Sequence, residues 1–71
     1  MSDIQQGDAV RWNWGNGTAE GTVRSVFAEK TTRTIKGSEI TRNGTQDDPA
    51  LYIELADGET VLKRASEVER A

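Results

Sequence analysis

The sequence predicts an all-β domain: five to six short antiparallel strands curled into a small barrel, with an inserted hairpin and a short helical turn near the C-terminus. Three observations carry this. Turn-forming pairs recur every few residues, at Gly7-Asp8, Gly15-Asn16-Gly17, Gly37-Ser38, Asn43-Gly44, Asp48-Pro49 and Asp57-Gly58. The segments between them are apolar or β-branched and alternate with a period of two. No stretch sustains an apolar stripe at helical spacing for more than a turn or two. Strands over one thin core favour curling, because closure hides exposed sheet edges and a flat sheet leaves one face bare.

In residues 8–14, Val10, Trp12 and Trp14 share one parity and Ala9, Arg11 and Asn13 the other, so Val10 and Trp12 are expected to face the core. Residues 18–28 continue as a longer strand with Ala19, Gly21, Val23, Ser25 and Phe27 on one face, and Gly21 marks a bend or a close backbone approach. Residues 31–36 and 39–43 form a hairpin around Gly37-Ser38, a pair suited to a type II′ turn with glycine first. That register sets Lys36 opposite Glu39, Ile35 opposite Ile40, Thr34 opposite Thr41 and Arg33 opposite Arg42. Two guanidiniums facing each other destabilise a ladder. They are tolerated if both lie in water beyond the barrel's edge, if an acid such as Asp47, Asp48 or Glu54 sits between them, or if they await an anionic ligand.

After a polar loop at 43–49, residues 50–56 read as a strand with Leu51, Ile53 and Leu55 inward and Tyr52 and Glu54 outward. Asp57-Gly58 turns the chain, and residues 59–64 form a strand with Val61 and Leu62 on opposite faces. Residues 65–69 suit one helical turn, capped by Ser66 and anchored by Val68. Val10, Trp12, Val23, Ile53, Leu55, Val61 and Val68 are expected to form the bulk of one core.

A chain of 71 residues has room for one domain, taken as 7–69 behind a flexible N-terminus at 1–6. It has neither cysteine nor histidine, which excludes a disulfide framework, a thiolate metal site and the commonest acid–base catalyst. No paired catalytic groups stand out among the remaining residue types, so an enzyme is not expected, and neither is a cofactor or metal. Asp47-Asp48 and Asp57/Glu59 do not fit the EF-hand pattern of oxygen ligands and read as solvated loop charge. The spacing Gly15-Asn16-Gly17…Gly21 precedes β-branched residues rather than a helix, unlike a phosphate-cradling loop. Asn16-Gly17-Thr18 and Asn43-Gly44-Thr45 match the glycosylation sequon but read as tight turns. Residues 1–20 contain Asp3, Asp8 and Glu20 and no long apolar run, so no signal peptide or membrane span is read there and the chain is expected to be cytoplasmic.

The net charge of -3 conceals an asymmetry: residues 1–23 carry -2, residues 24–42 carry +3 and residues 43–71 carry -4. A basic middle between acidic flanks is either a binding strip or a solvated hairpin whose charges keep a sheet edge from aggregating.

The order Gly7-Asp8-Ala9-Val10-Arg11-Trp12, then Gly21-Thr22-Val23, then Asp57-Gly58 and Ser66-Glu67-Val68 resembles the opening and closing of SH3-like barrels of the Tudor and KOW type. The segments 12–23, 31–37, 41–43 and 48–50 sharpen the match. Together they resemble a small bacterial and fungal family, the hypervirulence-associated proteins with a TUDOR domain, over residues 7–69. The resemblance implies an SH3-like barrel with an inserted hairpin and brings no established activity, ligand or catalytic residue. Methyl-lysine readers of the Tudor type enclose the cation in an aromatic cage. With four aromatics, of which Trp12 alternates as a core residue does, a complete cage is not expected.

These readings point to a non-catalytic binding module. Its expected partner is a protein or peptide, met through an exposed strand edge and a Trp14/Tyr52 surface. The alternative is weak nucleic-acid or anion binding through the basic hairpin 30–42. Trp14, Tyr52, Arg24, Arg33, Lys36 and Arg42 make up the candidate ligand surface. Trp14 ends a strand and enters a glycine-rich loop, where its ring is either a lid on the barrel or an exposed stacking platform. The residues leave oligomeric state open.

Overall fold

The alternation of the first segment becomes strand β1 (Ala9–Trp14), and Gly15 at φ 48° opens a two-residue turn into the long strand β2 (Gly17–Phe27). A glycine first at positive φ suits a type II′ turn, whose twist matches that of the flanking strands. In the computed structural model, which describes residues 4–71, the chain continues through β3 (Lys30–Ile35), β4 (Ser38–Asn43), β5 (Ala50–Leu55) and β6 (Thr60–Arg64). A 3-10 turn at Ala65–Glu67 then leads to a two-residue strand, β7 (Glu69–Arg70). The fold is therefore all-β, with seven strands where the sequence suggested five or six. β7 is too short to carry an alternation of its own.

The strands form a five-stranded antiparallel sheet of order β6-β5-β2-β1-β7 and a two-stranded sheet, β3-β4. The larger sheet does not close into a hydrogen-bonded barrel, since β6 and β7 are its two edges. They are nonetheless tied by the 3-10 turn. The five Cα steps from Arg64 to Glu69 reach at most roughly 18 Å, so the sheet has to curl until its edges approach. The curled inner face holds the core: Ile4, Val10, Trp12, Val23, Leu51, Ile53 and Ala65 are buried together, with Ala19, Leu55, Val61 and Val68 packed against them. Every residue expected in the core is in or against it. Ile4 adds to it from within the stretch expected to be flexible, residues 1–3 of which lie outside the described residues.

Gly21 marks a close approach between β2 and β5. A Cβ there would lie 2.6 Å from Ile53 Cγ2 and 2.8 Å from the Glu54 carbonyl oxygen, so the strands approach this closely only because the side chain is missing.

One face assignment needs correcting. Val23 pairs with Ile53, but Ser25 pairs with Tyr52, so a bulge at Arg24 interrupts the β2–β5 ladder. One extra residue reverses the parity beyond it. Ser25 and Phe27 therefore share the outer face with Tyr52 rather than the inner face with Val23. Leu62 pairs with Tyr52 on that outer face, yet it is buried and lies outside the main core cluster. The β3–β4 hairpin covers it, for both hairpin strands pack against β6 and the Arg33 guanidinium lies 4.6 Å over the Phe27 ring.

The hairpin register also differs from expectation. Ile35 pairs with Ser38, Arg33 with Ile40, Thr32 with Thr41 and Thr31 with Arg42, a slide of two positions. The turn is Lys36-Gly37, both at positive φ (52° and 79°), the pattern of a type I′ turn. The slide separates Arg33 from Arg42, which face Ile40 and Thr31 instead of each other. It also brings the Thr32 and Thr41 hydroxyls to 2.8 Å and buries Thr31, whose Oγ1 donates to the Glu29 carbonyl at 2.9 Å. Holding a lysine in the left-handed region costs about 1–2 kcal/mol; relief of the facing guanidiniums and the new hydrogen bonds offset it.

Ser66 is not the cap of the final turn. Arg64 occupies the position before the turn, and its N–H donates to Glu67 Oε1 at 2.8 Å. Ser66 lies inside the turn and donates to Asp48.

Candidate functional site

Each residue of the expected ligand surface has a definite place. Trp14 ends β1 and is the most exposed large apolar side chain among the described residues, at 63% of its full surface, so its indole is not a lid. Its cross-strand neighbour is Gly17, which has no side chain to cover it. Tyr52 lies elsewhere. It is half-buried on the outer face of β5 beside Ser25, and its hydroxyl donates to Thr60 Oγ1 at 3.3 Å. Their partners on β2, Gly17 and Ser25, are eight residues apart, roughly 26 Å along an extended strand. A joint Trp14/Tyr52 surface is therefore not formed.

Nor do the aromatics gather into a cage. Trp12 is 7% exposed in the core with Lys63 Nζ 5.7 Å from its ring centre, Phe27 lies under Arg33, and Trp14 and Tyr52 stand apart.

The basic residues of the middle segment are mostly paired. Arg24 Nε donates to Glu54 Oε1 at 2.6 Å, Lys36 Nζ lies 2.9 Å from Glu59, and Arg42 Nε lies 3.5 Å from Glu67. All three acids come from the acidic C-terminal segment, so the charge asymmetry in the sequence is met largely within the molecule. Lys36 and Arg42 tether the hairpin to residues flanking β6. The hydrogen bond to Glu59 and that carboxylate's charge hold the Lys36 ammonium above its ordinary value. Exposed pairs of this kind add little to stability because solvent and salt screen them, but each sets a carboxylate beside a hairpin cation and so lowers its pull on anions.

Arg42 thus has an acidic neighbour, but it is Glu67 rather than Asp47, Asp48 or Glu54. Sequence spacing could not single it out, because Glu67 reaches Arg42 only through the packing of β4 on β6. Arg33 has no carboxylate partner among the described residues and stacks on Phe27, its Nη1 donating to the Thr32 carbonyl at 2.8 Å.

The loop acids are engaged as well. The Asp48 carboxylate accepts from Ser66 N and Oγ, both at 2.7 Å, and stands 3.9 Å from Arg64 Nε. The Ser66 hydroxyl hydrogen bond, above all, lowers the Asp48 pKa below the ordinary carboxylate value. Asp57 Oδ1 accepts the Glu59 N–H at 2.9 Å. No cluster of three potential metal ligands occurs among the described residues, and no helix among them is long and apolar enough to cross a membrane.

Two further features emerge only from the fold: a cleft, and which strand edge is the exposed one. An open cleft of about 450 Å³ lies against β2 and β5, and its lining includes Ala9, Glu20, Thr22, Ala56 and the Arg24–Glu54 pair. The outer edge of β1 is only half covered: β7 pairs with Val10 and Arg11 and with nothing beyond. Residues 12–14, ending in the exposed indole, therefore present a short unpaired edge.

A family model described as the hypervirulence associated proteins TUDOR domain matches residues 7–68. Comparisons with curated proteins and with solved structures give no match. Nearly the whole chain is covered, and it belongs to the family of hypervirulence-associated proteins with a TUDOR domain.

Proposed function

We propose that the domain is a non-catalytic module that binds a protein or peptide partner along the open edge of β1, with Trp14 as its anchor. The observation that carries this reading is the indole at 63% exposure beside a strand edge that β7 leaves uncovered past Arg11. An extended segment added to a sheet edge gains main-chain hydrogen bonds, and a flanking aromatic supplies apolar contact. Large exposed aromatics are also the residues that most often anchor interfaces. Binding through the basic hairpin has less support, because Arg24, Lys36 and Arg42 already have carboxylate partners.

The test is capture from cell lysate with the native chain and with Trp14→Ala, each at low and high salt. A partner that survives high salt and is lost with Trp14→Ala supports the reading. Partners that ignore Trp14→Ala and disappear at high salt oppose it, since phosphate contacts weaken steeply as salt rises.

A further inference from the structure

The dipeptide Asn-Gly occurs twice, at Asn16-Gly17 and Asn43-Gly44. Such a pair can lose ammonia without an enzyme. The glycine backbone nitrogen attacks the asparagine side-chain carbonyl carbon, a new C–N bond forms, and the bond to the side-chain nitrogen breaks as ammonia leaves. Water then opens the resulting succinimide at one of its two carbonyls, giving aspartate or isoaspartate. The glycine nitrogen has to swing toward the asparagine side chain, so the reaction depends on how freely that peptide moves.

The fold treats the two pairs differently. Asn16 and Gly17 are exposed at the tip of the β1–β2 hairpin, and a Cβ built on Gly17 meets nothing within 4 Å. The pair they must disturb, Trp14 with Gly17, is the last of its ladder, where opening is easiest. Asn43 ends β4, and the glycine after it is buried. The Gly44 N–H donates to the Glu29 carbonyl at 3.2 Å, and a Cβ there would run into backbone atoms of Phe27, Glu29 and Ala50. Moving that nitrogen means releasing the base of the β3–β4 hairpin from the large sheet.

We infer that Asn16 is a site of spontaneous deamidation to aspartate and isoaspartate, and that the fold protects Asn43. Each event adds a negative charge within residues 12–19, a stretch with no formal charge that contains the exposed Trp14. Isoaspartate also lengthens the backbone of a two-residue turn. This inference does not depend on what Trp14 binds.

The test holds the folded chain in mildly alkaline buffer made with heavy-oxygen water and follows peptides released after Lys and Arg by mass spectrometry. Asn16 falls in peptide 12–24 and Asn43 in peptide 43–63. Peptide 12–24 is expected to take up label about tenfold faster than 43–63, or more, while in denaturant the two react at similar rates. Gly17→Ala, which the open space around Gly17 accommodates, should suppress the reaction at Asn16. Equal rates in the folded chain, or an unchanged rate in Gly17→Ala, would overturn the inference. So would a folded chain in which neither peptide reacts while the denatured chain converts both.

Discussion

Asp48 accepts both the backbone N–H and the hydroxyl of Ser66, each at 2.7 Å, and so fastens the 43–49 loop to the 3-10 turn eighteen residues further on. The larger sheet has no hydrogen-bonded seam between β6 and β7, and this clasp helps hold the turn that bridges them.

The clasp predicts an acid-sensitive stability. The folded state lowers the Asp48 pKa from its ordinary 3.8, so its contribution is fully present above that value and is lost as pH falls through the depressed one. Asp48→Asn should lose roughly 1–2 kcal/mol at neutral pH and show a flatter acid limb in chemical denaturation. An unchanged acid limb would remove Asp48 from the clasp.

The two tryptophans should behave oppositely. Trp12→Ala leaves a cavity in a thin core and should cost ~3–5 kcal/mol, enough to abolish a cooperative melt in so small a domain. Trp14→Ala should stay within about 0.5 kcal/mol of the parent, as thermal unfolding would show.

The Lys36-Gly37 turn makes a third prediction. Asparagine tolerates the left-handed region better than lysine. In a Glu59→Gln background, where no ion pair is left to lose, Lys36→Asn should stabilise by about 1 kcal/mol. Destabilisation in that background would place the turn at other residues.

Why the sequence misplaced that turn is instructive. A slide of two positions leaves every side chain on its face, so Ile35 and Ile40 point inward in both registers and alternation cannot choose between them. The Arg33/Arg42 conflict was the visible clue, and the fold resolves it by register rather than by a ligand. The β2 bulge was invisible for a related reason: no residue near Arg24 departs from strand preference, and the parity of Phe27 could be judged only against β5. Gly21 was legible because a glycine inside a strand has few other uses. Trp14 was legible as a candidate, but whether it was lid or platform depended on Gly17 standing opposite. The Trp14/Tyr52 pairing failed because parity says nothing about position along a long strand.

With Lys36 and Arg42 paired to carboxylates and Arg33 stacked on Phe27, the hairpin should be indifferent to anions. Amide chemical shifts recorded at low salt during titration with phosphate, a short single-stranded oligonucleotide and an acidic peptide should show no saturable changes concentrated at residues 31–43. Saturable shifts there that vanish in Arg33→Gln/Arg42→Gln would make the hairpin a binding strip.

The most direct test of Trp14 as the anchor is collisional quenching of tryptophan fluorescence, because one indole is 63% exposed and the other 7%. In the free domain a neutral quencher should reach one of two emitting populations, and Trp14→Phe should remove the accessible one. With a captured partner bound, the account predicts that the accessible population becomes shielded and its emission moves to shorter wavelength. A bound complex in which Trp14 remains as open to quencher as in the free domain would contradict it.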